Sequence, residues 1–335
     1  MKRTAVFVCA LVGILFVCAG SFSESPEAVP GFVERLEVGE PATYRNLTVV
    51  PVYFRKTKPT EDPSCLSLDQ ALEEGVLEIR EKDGGDVPWV VVSNRSDKRI
   101  FIMGGEILSG CKQDRIVARD VLIPPYRKRL LLPVYCVEAG RWHHVSGKFA
   151  SERNLGTYTM RGAAQSSSGS NQSKIWNKVA ESNRRMGVSS DTEAYQDVFR
   201  NEEVAKLVSE VEQKFKDLPL FDNETVGVVI GLGDQIIGAD IFSDPKLFQE
   251  LWPKIIRACV LAMTGYEHKT SLSEDRAEQF LHALQWMRYG RREGVDLGFE
   301  HFADLRELSV SSLVYGDTVL HLGAVLNDEA AERSF

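Results

Sequence analysis

Residues 226–241 read Val-Gly-Val-Val-Ile-Gly-Leu-Gly-Asp-Gln-Ile-Ile-Gly-Ala-Asp-Ile. Two short apolar runs flank Gly231-Leu232-Gly233-Asp234, and glycines permit the positive φ that a tight turn needs. The stretch predicts a β-hairpin. It matches neither G-x-G-x-x-G nor G-x-x-x-x-G-K-[ST], so its glycines do not read as a phosphate cradle.

The same chemistry recurs on either side. Residues 310–315 and 318–322 flank Gly316-Asp317, and 89–92 and 100–103 flank the polar turn Asn94-Arg95-Ser96-Asp97. Runs 116–123 and 130–137 join across Pro124-Pro125, and 47–54 is a further β-branched run. Helical spacing marks 67–74, 174–186, 192–218, 245–263 and 274–289, with Ser67, Asp244 and Ser273 as caps, Gly75 as a stop and Pro253 as a kink. Strands that arrive as hairpins, not in strict alternation with helices, predict an α+β fold. Its core is a largely antiparallel sheet with helices packed on it. Residues 162–173, Gly-Ala-Ala-Gln-Ser-Ser-Ser-Gly-Ser-Asn-Gln-Ser, read as a flexible loop, either a plain surface segment or a lid over a ligand.

The chain has 335 residues, 43% of them apolar, which is ample for a packed core and excludes wholesale disorder. A net charge of -8 excludes a general nucleic-acid binder, which carries a basic surplus. Lys2 and Arg3 precede an apolar run over 5–19, followed by the small residues Ala19, Gly20, Ser21 and Ser23. This is the pattern of a signal peptide, assigned to 1–22, and it predicts export to the periplasm or the medium with no membrane span after cleavage. Val17 stands where a lipoprotein signal wants a small residue, so lipidation of Cys18 is disfavoured. Cleavage leaves a charge near −10 and Cys65, Cys111, Cys136 and Cys259. In an oxidising compartment Cys111 with Cys136 is the first disulfide to test, while Cys259 reads as a buried apolar residue. The remainder reads as a single domain over 31–326: β-rich to 145, helical to 218, mixed thereafter, with a polar tail over 327–335.

The densest polar run is Gly104-Gly105-Glu106-Ile107-Leu108-Ser109-Gly110-Cys111-Lys112-Gln113-Asp114-Arg115, complemented by Pro133-Val134-Tyr135-Cys136-Val137-Glu138-Ala139-Gly140-Arg141-Trp142-His143-His144. Both place charges beside glycines at the ends of apolar strands, where loops build sites on a rigid sheet. On the strand over 130–138, alternation puts Leu130, Leu132, Val134, Cys136 and Glu138 on one face; both faces are apolar, which predicts a central strand. Glu106 and Glu138, with Lys112, are the candidate catalytic set, two carboxylates able to divide acid and base roles. Lys112, Arg115 and Arg141 suit an anion, and Trp142 and Trp176 could stack a base or sugar or simply form a rim. The same residues also fit a buried ion network. A Cys136–His143/His144 pair and a metal bound by His143, His144 and Glu138 both lack supporting spacing. Isolated histidines such as His268, His282, His301 and His321 read as satisfied surface or core residues. No pattern names a cofactor.

Gly105-Glu106 leading into Lys112-Gln113-Asp114-Arg115, then Cys136-Val137-Glu138, Gly140-Arg141-Trp142, and Gln172 near Ile175-Trp176 carry a resemblance. The sequence resembles the ADP-ribosylglycohydrolase- and rhodanese-phosphatase-superfamily-associated protein domain family, from about residue 31 to 326. Ile107 departs from its pattern, where members commonly carry a second acid. The resemblance implies that Gln113, Asp114, Arg115, Arg141, Trp142, Gln172 and Trp176 contribute to binding. It implies an ADP-ribose-like or other phosphorylated ligand, bound or processed. The alternative is a non-catalytic exported module that binds a ligand or the envelope.

Overall fold

A computed structural model describes residues 27–55, 64–82, 88–165, 171–216, 224–263 and 270–326. The signal segment 1–22, the tail 327–335, His268 and residues 166–170 of the Ser-rich stretch lie outside the described residues.

The hairpin read at 226–241 forms as Gly227–Leu232 and Gln235–Phe242, turning at Gly233 with φ 59°. It is the centre of a nine-stranded sheet. Leu36–Val38, Leu47–Phe54, Gly227–Leu232, Gln235–Phe242, Thr318–Leu326, Leu308–Tyr315, Phe299–Asp304 and Gly290–Glu293 follow in that order, and Ala42–Tyr44 pairs beside Leu47–Phe54. Every pairing in this sheet is antiparallel. Period-two alternation sends Val228 and Ile230 into one hydrophobic core and Val229 into another. The first core is covered by Pro245–Met263 and Glu202–Phe215, the second by Ala28–Val33 and Glu274–Gln285. The sheet therefore lies between helices on both faces, which is why its central strands are apolar throughout.

A six-stranded sheet runs Phe149–Leu155, Glu106–Gly110, Arg115–Val117, Leu130–Cys136, Trp89–Asn94, Leu77–Glu81. It encloses a third core that includes Leu108, Val117, Leu132 and Val92. Its edge strands, Leu77–Glu81 and Phe149–Leu155, pair only inward but approach each other across a seam. The helix Leu68–Glu73 packs beside that seam. Its start is a reciprocal capping box: Ser67 Oγ accepts from the Gln70 N–H and Gln70 Oε1 from the Ser67 N–H. A three-stranded sheet, Val121–Ile123, Arg99–Ile102 and Cys65–Leu66, contains the one parallel pairing among the described residues.

Several expectations need correction. The runs 89–92 and 100–103 do not form a hairpin: Trp89–Asn94 belongs to the six-stranded sheet and Arg99–Ile102 to the three-stranded one. The Asn94 amide explains the parting, since it donates to the carbonyls of Lys98 and Pro124 and holds the connection open. The run 116–123 likewise splits into Arg115–Val117 and Val121–Ile123, in different sheets. The run 192–218 breaks at Asn201, whose extended backbone and side chain cap Glu202–Phe215 by accepting from Glu203 and Val204. The described residues of 162–173, namely 162–165 and 171–173, are helical, within Tyr158–Gln165 and Asn171–Arg185. A Cβ on Gly162 would stand 3.0 Å from Val325 Cγ2, so that glycine serves close packing of helix on sheet. All four described cysteines are free thiols, and Cys136 Sγ donates to Gln113 Oε1 instead of bridging to Cys111. The strand Leu130–Cys136 is central, as its two neighbours require, but Leu131 on its outer face is 38% exposed.

Candidate functional site

The turn between Glu106–Gly110 and Arg115–Val117 ties the predicted polar residues into a knot. Gly110 (φ 116°) and Cys111 (φ 49°) adopt left-handed backbone, bringing the Gly110 N–H to Asp114 Oδ1 at 2.9 Å. Arg141 enters from beyond the strand Leu130–Cys136. Its Nε donates to Glu138 Oε1 at 2.7 Å, Nη2 to Glu138 Oε2 and Asp114 Oδ1, and Nη1 to the carbonyls of Cys111 and His143. Gln113 Nε2 donates to the Glu138 carbonyl at 2.8 Å, and its Oε1 accepts from Arg115 at 3.2 Å. Gln172 clamps the end of the strand, accepting from the Cys136 N–H and donating to its carbonyl, each at 2.9 Å. Burial, opposed by the Gly110 N–H and Arg141, pushes the Asp114 carboxyl up to about 6, with Glu138 adding to the rise.

Gln113, Asp114, Arg115, Glu138, Arg141 and Gln172 thus converge, yet every nitrogen of Arg141 is committed to protein acceptors. Arg115 is fully buried. Lys112 and Trp142 lie at the outer side of the knot, with the ammonium 5.3 Å from the ring centre. Trp142 is 54% exposed and Trp176, on Asn171–Arg185, 40%.

Glu106 is not part of the knot. It is fully buried, accepts the Met103 N–H at 2.8 Å and pairs closely with Lys254 Nζ. Lys254, from Pro245–Met263, also lies 2.8 Å from Asp69 Oδ2, at the start of Leu68–Glu73. Two carboxylates share one ammonium. Burial pushes the deeper carboxyl, Glu106, above its ordinary range, while the two acids together hold Lys254 above its own against burial. Asp69 Oδ1 is buried and has no hydrogen-bond partner, an uncommon and costly condition for a carboxylate oxygen.

That oxygen belongs to a residue lining a cleft of about 410 Å³ at the seam. Apolar Leu72, Leu77, Ile79 and Phe149 line it together with Asp69, Glu73, Glu78, Arg95, Lys148 and Arg153. The strand Phe149–Leu155 shifts register beyond Ser151, and Arg153 (φ 57°) is held in left-handed backbone with its guanidinium against Glu73. At the other side of the cleft, Glu78 takes Lys148 and Arg95 at 2.7 Å each and Arg80 closer still. Among the residues lining the cleft, Arg95, Lys148 and Arg153 stand against Asp69, Glu73 and Glu78, and two of the three cations, Arg95 and Lys148, gather on Glu78. The same cations, Lys148 foremost, hold the Glu78 carboxyl down at about 2.

A third network joins the sheets. Arg161 forks onto Asp240, Tyr158 donates to Asp240 at 2.8 Å, and His321 bridges Asp120 at 2.6 Å to Asp240 at 3.1 Å. Asp120 and Asp240 lift His321 to about 9 in spite of its burial. Gly105 (φ 102°) belongs to this packing, since a Cβ there would lie 2.5 Å from Arg161 Cγ. Sequence reading missed Asp69, Lys254, Arg161, Asp120 and Asp240. Lys254, which with Arg257 interrupts the apolar run over 251–263, was the one local signal.

A family model described as the ARG and Rhodanese-Phosphatase-superfamily-associated Protein domain matches residues 35–325. No curated protein and no solved structure matches the chain.

Proposed function

From the premise that the chain belongs to the ARG and Rhodanese-Phosphatase-superfamily-associated Protein domain family, we propose that it binds a small phosphorylated ligand in the seam cleft. The observation that carries this reading is the pair of cations, Arg95 and Lys148, gathered on Glu78 at the wall of a cavity large enough for a small molecule. Arg95 and Lys148 take the anionic group, exchanging part of their contact with Glu78 for phosphate oxygens. Asp69, whose side chain is partly exposed and lines the cleft, accepts a hydroxyl of the same ligand, with Lys254 and Glu106 holding the carboxylate in place. An anion at one end and a hydroxyl donor at the other describe a sugar phosphate, the chemistry shared by ADP-ribose and simpler phosphorylated sugars. Should the ligand also be processed, Asp69 is the acid–base group with access to it. Glu138 is enclosed by Arg141, and Glu106 acts through Lys254.

Calorimetric titration with ribose 5-phosphate, ADP-ribose and inorganic phosphate tests this. At least one sugar phosphate binds, more tightly than phosphate alone, and Arg95→Ala/Lys148→Ala weakens it at least about tenfold. Absence of binding by all three, or an unchanged affinity in the double variant, removes the proposal.

We also propose that the protein acts outside the cytoplasm. Lys2-Arg3 and the apolar run over 5–19 support export, and no described helix is long and apolar enough to cross a membrane. Fractionation of cells expressing the full chain and a chain lacking 1–22 decides it: only the full chain reaches the periplasm or the medium.

A further inference from the structure

A cavity of about 420 Å³ lies where Ala28–Val33 and the strand after it face the helix Glu274–Gln285. Its floor is apolar, made by the buried side chains Val33, Leu36 and Leu281. One wall is a single helix face, because Glu278, Leu281, His282 and Gln285 follow the three-and-four spacing. Glu34 and Glu37 stand opposite. Arg55 is fixed between the walls, donating to the Leu36 carbonyl at 2.7 Å and lying 3.6 Å from Glu278. Trp286 stands at the lip, where the chain leaves the helix with φ −96° and ψ 4°.

Two features separate this groove from ordinary surface. Trp286 is 79% exposed, more than any other large apolar side chain among the described residues. Single exposed apolar residues need no explanation, but this one borders a cavity. In addition, the side chains of Glu34, Glu37, His282 and Gln285 make no hydrogen bond or ion pair with any described residue. A groove with an apolar floor, a free indole face and unspent planar acceptors and donors is matched to one class of small molecule. A pyranose ring offers a C–H face to the aromatic plate and an edge of hydroxyls to carboxylate, amide and imidazole. Charge narrows the class further. Three carboxylates against one guanidinium repel phosphates and uronic acids.

We infer that this groove is a binding site for a neutral, pyranose-based saccharide, with Trp286 as stacking platform and Glu34, Glu37 and Gln285 as hydroxyl partners. It is independent of the seam cleft and shares no lining residue with it. Calorimetric titration of the whole protein with cellotetraose, chitotetraose and maltotetraose tests it, with tetralysine as the competing cationic probe. One of the tetrasaccharides binds. Trp286→Ala weakens it at least about tenfold, and the seam-cleft variant Arg95→Ala/Lys148→Ala binds it as the wild type does. Since Trp286 packs against little, its removal leaves the fold intact, which circular dichroism checks. The inference is overturned if none of the three saccharides binds, or if Trp286→Ala binds them unchanged. Tetralysine binding that Trp286→Ala abolishes, with no saccharide bound, would reassign the groove to a cationic partner.

Discussion

The knot around Arg141 and the triad around Lys254 are built from the same ingredients: two carboxylates around one cation. In the knot the cation is Arg141, all its donors are spent, and Glu138 receives bonds on both oxygens. In the triad the cation is a lysine, and one oxygen of Asp69, a cleft-lining residue, is left unbonded. The difference is one of saturation. Arg141, with every nitrogen spent on protein acceptors, fixes a turn against a strand and has nothing left to offer a ligand. The unbonded donors of the knot, Nε and Nη2 of Arg115, belong to a fully buried side chain that lines neither the seam cleft nor the groove beside Trp286. A network short of one partner, beside a cavity, has a bond to give.

The comparison can be broken at four points. The largest effect is expected at Arg141→Ala, which strands Glu138 and Asp114 without their cation; urea unfolding should show a loss of roughly 3–5 kcal/mol. A loss within the error of the measurement would mean the knot is solvated and could still hold a ligand. Next is pH. The folded protein holds the His321 proton up to about 9, against 6.5 for an ordinary histidine. Stability from this group is therefore full below pH 6.5 and is lost as pH rises towards about 9, a decline of about 3 kcal/mol. Urea midpoints across that range should flatten in His321→Gln.

Lys254→Met should cost less than Arg141→Ala, about 1–3 kcal/mol, since Glu106 is already pushed towards its neutral form and can discharge. If it costs as much as Arg141→Ala, the two networks do not differ as described. The smallest stability effect belongs to Asp69→Asn, within about 1 kcal/mol, because the bond to Lys254 survives as an amide–ammonium contact. Its affinity for the sugar phosphate should nevertheless fall, and calorimetry on the two variants separates a binding role from a structural one.

Much of the fold was legible in the chain. Alternation and glycine turns identified the strands Gly227–Leu232, Gln235–Phe242, Leu308–Tyr315 and Thr318–Leu326, and Ser67, Asp244 and Ser273 marked helix starts. Local pattern failed where the next partner was not the nearest in sequence. Trp89–Asn94 and Arg99–Ile102 look like a hairpin but join separate sheets, and the small residues at 162–165 suggest flexibility where they serve close packing on Val325. The site followed the same rule. The polar run over 104–115 stands out because its residues are adjacent, and Gln113, Asp114 and Arg115 from it meet in the knot.

Sequence alone therefore established the α+β class, the antiparallel hairpins, the family resemblance and the cluster of Gln113, Asp114, Glu138 and Arg141. These rest on periodicity, turn chemistry and charges close together in the chain, all of which are short-range. Tertiary structure alone decided that Arg141 is saturated, that Glu106 leaves the knot for Lys254, and that Asp69 lines a cleft. Glu106 and Lys254 are 148 residues apart. Nothing in the local pattern of either residue specifies the other, because a buried ion pair is selected by the packing that removes both groups from water.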